Sequence, residues 1–61
     1  MEIRSFLMRA MLNEQEQVRD YQRFARTTDN EEISRAFFEF AETSGRTAAR
    51  IKDLLDKIDA Q

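Results

Sequence analysis

Thr27-Thr28-Asp29-Asn30-Glu31-Glu32 is the one interruption in a chain that otherwise reads as helix. Two β-branched residues are followed by Asp and Asn, whose short polar side chains compete with helical backbone hydrogen bonds. Asp29 with Glu32 three residues later has the spacing of a capping box, so the same stretch that ends one helix starts another. Elsewhere nothing stops a helix: there is no proline, and the single glycine is Gly45. The pattern predicts one all-α domain spanning 1–61: a helix over about residues 3–26, a turn over about 27–30 and a second helix over about 30–58. A connection this short forces the helices to be antiparallel neighbours.

Working outward from the turn, the first helix carries Ile3, Leu7, Ala10, Glu14, Val18, Tyr21 and Ala25 at steps of three and four. The second carries Ile33, Phe37, Phe40, Ser44, Ala48, Ile51, Leu55 and Ile58. Glu14 and Ser44 are the polar interruptions. A turn at Asp29 pairs residues whose numbers total about 58, which sets Glu14 opposite Ser44 with Thr47 one turn away. Beside these stripes lie Phe6, Met11 and Phe24 on the first helix and Ala36, Ala41 and Leu54 on the second, with Phe38 further round. An isolated hairpin needs one narrow seam, whereas a helix in a four-helix bundle touches two neighbours. The width therefore predicts that hairpins dimerise into an antiparallel four-helix bundle, a dimer or larger even oligomer. Ala41, Gly45 and Ala49 recur every four residues and predict a groove where that partner comes close.

Composition narrows the function. The 61 residues include no Cys and no His, which excludes disulfides, zinc fingers, thiol redox chemistry and imidazole catalysis. A chain this short sits near the lower limit for folding alone and needs a staple; association with another chain is the one left. Ten basic and twelve acidic residues give a net charge of −2, with the charges interspersed, so there is no field to attract nucleic acid or anionic membrane. No stretch approaches a transmembrane span and the first residues lack a signal-peptide pattern, which makes the cytoplasm the expected location.

Glu14 carries the functional question, since an ionised carboxylate on an apolar helix face costs several kcal/mol unless it is paired, metal-bound or protonated. Three readings are open: a metal ligand, a register-setting residue hydrogen-bonded to Ser44 or Thr47, or a seam-edge residue reaching water. Glu14, Tyr21, Phe24-Ala25, the short acidic turn, Ile33, Phe37, Ala41-Glu42, Ala48 and Ile51 together resemble the half-bundle of ferritin-like and rubrerythrin-type di-iron proteins. The tight connection is most similar to the two-helix encapsulated ferritins, whose hairpins pair to rebuild a four-helix ferritin fold. The resemblance implies a Glu on the first helix and a Glu-x-x-His pair on the second as metal ligands. Glu14 occupies the first position, while Ser44 and Thr47 stand at the other two. Hydroxyls are poor ligands for iron or manganese at neutral pH, so the motif is degenerate.

The expectation is accordingly a non-catalytic ferritin-like hairpin acting as an assembly or interaction module, with no cofactor. The alternative is an iron-binding oxidoreductase or iron-handling protein that uses Glu14 at a dimer interface.

Overall fold

A computed structural model describes residues 2–60. Helix α1 runs Ile3–Thr27 and helix α2 runs Glu31–Asp59, and the two pack against each other as a hairpin 48 Å long. The described residues contain no strand.

Short polar side chains build the turn. Asn30, rather than Asp29, is the N-cap of α2, its Oδ1 accepting from the Ile33 backbone N–H at 3.0 Å, and Glu31 and Glu32 place negative charge at the positive end of that helix. The Thr28 hydroxyl accepts from the Asn30 N–H at 3.2 Å. Ser34 Oγ donates across the turn to the Ala25 carbonyl at 2.7 Å, satisfying one of the acceptors that the end of α1 leaves without a helical partner. At the other end of the hairpin Arg4 Nε donates to Asp59 Oδ1 at 2.9 Å. That bond, with the attraction of the carboxylate, holds the Arg4 guanidinium above its ordinary range.

The seam between the helices is drawn from smaller residues than the apolar stripes suggested. On α2 it runs Ser34, Phe37, Ala41, Ser44, Ala48, Ile51, Leu55 and Ile58 in alternating steps of three and four; Ala41, Ser44, Ala48, Ile51 and Leu55 are buried and the rest half-buried. On α1 the matching positions are Leu7, Met11, Glu14, Val18 and Tyr21, all half-buried, and Ala25, which is buried. This strict seven-residue repeat is the pattern of two helices wound gently left-handed about each other. Ile3, Ile33 and Phe40, expected in the seam, lie 49%, 47% and 48% exposed beside it. Alanine and serine take the inner positions because a three-residue connection brings the backbones close, and large side chains are then accommodated only at the edges.

Paired at a constant total of 62, every seam position of α1 from Leu7 to Ala25 meets a seam position of α2 from Phe37 to Leu55, within the range of 58 to 63 spanned by the contacts between the helices. Gly45 fits that register: a Cβ placed on it would lie 3.9 Å from Val18 Cγ2 of α1. The small-residue groove around Gly45 is therefore approached by α1 of the same chain.

Candidate functional site

Every large exposed apolar residue takes its place from its position relative to the seam. With Ile3 continuing the flank seven residues before Ala10, Phe6, Ala10, Asn13, Gln17, Asp20 and Phe24 each lie one position before a seam position of α1. Ile33, Ala36, Phe40, Thr43, Thr47, Arg50, Leu54 and Lys57 do the same on α2. In an antiparallel pair of right-handed helices, these two flanks turn toward the same side. The aromatic contacts agree. Tyr21 lies 5.6 Å from Phe40 and 6.1 Å from Phe37 between ring centroids, Phe24 lies 5.5 Å from Phe37, and Phe37 lies 5.9 Å from Phe40.

The hairpin therefore has one open face, apolar at both ends and polar at its middle. Near the turn sit Tyr21, Phe24, Ile33, Phe37 and Phe40 with Asp20 among them; near the open end sit Ile3, Phe6, Leu54 and Ile58 with Arg50 and Lys57; between them lie Asn13, Glu14, Gln17, Thr43 and Thr47. Among the described residues seven large apolar side chains are more than two-fifths exposed, and five belong to this face: Ile3, Phe6, Phe24, Ile33 and Phe40. The other two, Leu12 and Phe38, lie on the opposite side. Such segregation is more than the scatter of single apolar residues found on any protein surface.

Glu14 is half-buried at a seam position on the edge of this face. With facing numbers totalling 62 it lies level with Ala48, between the Ser44 and Ile51 turns of α2, about one turn from where a total of 58 placed it. No hydrogen bond joins it to Ser44 or Thr47 among the described residues; the Thr47 hydroxyl donates instead to the Thr43 carbonyl of its own helix at 3.1 Å. Neither do the described residues gather three carboxylate, imidazole or thiol groups that could hold a metal ion. One carboxylate with two alcohols is a hard but weak donor set, and within a single hairpin it does not fit a di-iron centre. An open groove lies away from Glu14, at the turn end of α2, lined by Asn30, Glu31, Glu32, Arg35, Ala36 and Glu39.

No family model, curated protein or solved structure matches the chain. None of the helices is long and apolar enough to cross a membrane, among the described residues.

The open face is the feature that sequence reasoning located only in part. Phe6, Phe24 and Leu54 were legible as a second apolar set, but Ile33 and Phe40 belong with them. The signal was present in the alternation of large and small residues: Ile33 precedes Ser34 and Phe40 precedes Ala41, so the larger member of each pair faces outward.

Proposed function

We propose that this hairpin is a non-catalytic assembly module whose open face receives the same face of a second copy, completing a four-helix bundle of the ferritin-like kind. The observation that carries the reading is the gathering of Ile3, Phe6, Phe24, Ile33 and Phe40 on one side, each between 41% and 54% exposed. At about 90 Å² of exposed surface apiece these five offer roughly 450 Å² per hairpin. A two-fold axis doubles that to about 900 Å², and Tyr21, Phe37, Leu54 and the polar rim extend it toward the roughly 1,200 Å² at which standard stable interfaces begin. The pairing also supplies the burial that a core of three alanines, a serine, an isoleucine and a leucine leaves short.

In such a bundle the Glu14 side chains of the two copies come to the polar belt at mid-length. Belt residues of this kind set alignment by penalising any slide that puts a carboxylate against the aromatic cluster. The role of Glu14 is then specificity of pairing, with Gln17 and Thr47 as its polar surroundings.

Thermal unfolding over a hundredfold range of protein concentration tests the reading. A module that folds as it associates melts at a temperature that climbs with concentration. A melting temperature that stays fixed across that range would contradict it.

A further inference from the structure

The charged rim of the open face indicates how a second copy sits on it, an inference that rests on the self-association reading above. Outside the apolar positions and the charged flank residues Asp20, Arg50 and Lys57, Glu2 just before α1 and Arg9, Glu16 and Arg23 on it recur at intervals of seven, and α2 presents Glu32, Glu39, Arg46 and Asp53. All eight are exposed. Arg23 and Arg46 make ion pairs only within their own helices, to Asp20 at 3.4 Å and Glu42 at 3.0 Å. Arg9, Glu16, Glu39 and Asp53 make none among the described residues.

A two-fold axis can bring two such faces together in two ways. If the axis runs along the bundle, both turns lie at the same end, and α1 stands beside α2 of the second copy at the levels already fixed within one hairpin, where facing numbers total about 62. If the axis runs across the bundle, the turns lie at opposite ends, and each helix stands beside its own equivalent. The polar belts meet at mid-length in both cases, so the rim decides.

With the turns together, rim residues whose numbers total 62 face each other: Arg23 meets Glu39, Glu16 meets Arg46, and Arg9 meets Asp53 of the second copy. Each of these pairs is of opposite charge, and the symmetry repeats each one. With the turns apart and the hairpins fully overlapped, Glu16 and Arg46 each meet their own equivalents, Arg9 meets Arg23, and Glu39 meets Asp53. Each of those pairs is of like charge. Relieving them requires sliding one hairpin by seven residues, about 10 Å, which uncovers apolar ends. Complementary rim charges select orientation even where each pair adds little affinity.

We infer that the second copy docks face to face with its turn at the same end of the bundle, guided by the pairs Arg9–Asp53, Glu16–Arg46 and Arg23–Glu39 between copies.

The chain has no cysteine, so Asp29→Cys places a single spin label in the turn of the otherwise complete protein. Pulsed dipolar spectroscopy on the dimer should give a label separation within about 25 Å, two neighbouring helix ends plus the label arms. A separation near the 48 Å length of the hairpin, with the dimer mass intact, overturns the orientation alone. No dipolar signal together with a monomer mass removes the self-association reading and this inference with it. A charge-swap cycle gives an independent reading. Glu16→Arg should weaken association about tenfold at low ionic strength, and the double variant Glu16→Arg with Arg46→Glu should restore it. If both variants associate as the parent does, these rim pairs do not guide the docking and the inference is overturned.

Discussion

Replacing Phe40 with alanine separates a surface that is merely apolar from one that binds. Phe40 is 48% exposed and its ring packs on Tyr21 and Phe37 at 5.6 and 5.9 Å, so half of it already works within the hairpin. The exposed half is roughly 100 Å², which at about 25 cal/mol per Å² corresponds to some 2.5 kcal/mol for each copy if a partner covers it. Two copies lose about 5 kcal/mol per dimer, so the dissociation constant should rise on the order of a thousandfold. Leu12 is the matched control: it is 56% exposed but lies on the opposite side of the hairpin. Leu12→Ala should therefore leave association within a few-fold of the parent. Sedimentation equilibrium of the three proteins, with circular dichroism to verify that helix content is kept, gives the constants. Equal effects of the two substitutions, or a Phe40→Ala protein that associates as the parent does, would refute the argument that one face is the docking face.

Other expectations concern the seam and the ends. Gly45→Ala should stabilise by about 0.5–1 kcal/mol, since the added Cβ meets Val18 Cγ2 at an ordinary 3.9 Å and a helical glycine carries an entropic cost; a raised melting temperature checks it. Asn30→Ala should cost about 1 kcal/mol by removing the acceptor for the Ile33 N–H, read as a fall in melting temperature. Glu14→Gln should tighten association roughly tenfold at pH 7 by taking two carboxylates out of the assembled belt while keeping polar contact. A chelator that lowers the melting temperature of the parent and not of this variant would instead identify Glu14 as a metal ligand. Arg4→Ala should fray only the open end, seen as faster amide exchange near Ile58. Because Asp59 raises the Arg4 pKa, Arg4 stays charged and its share of that bond stays constant across the neutral range, being lost only as pH climbs through the folded value.

The hairpin was legible because its punctuation is simple. With no proline and one glycine, the Thr27–Glu32 stretch was the only place for a turn, and steps of three and four allowed no strand reading. Which residues form the seam was less legible. Hydropathy ranks Ile33 and Phe40 above Ser34 and Ala41, and a stripe drawn by hydropathy alone takes the larger residue of each adjacent pair. Close-packed helices reverse that choice, because the small side chain fits between backbones and the large one is pushed to the flank. The cap was misplaced by one residue for a related reason: Asp29 and Asn30 are both good N-caps, and only the path of the turn distinguishes them. Glu14 could be singled out as anomalous from the sequence, yet its level on α2 depended on a pairing total of 62 where a turn centred on Asp29 gives 58, a shift of one helical turn set by the path of the connection.

Self-association through the Phe6–Phe24–Ile33–Phe40 face is the central claim, and the mass in solution tests it most directly. Sedimentation equilibrium at micromolar concentration should return twice the 7.3 kDa chain mass or a larger even multiple, dissociating on dilution with loss of helix. A species of 7.3 kDa at every concentration, retaining full helix content, would show that the face has no second copy to receive.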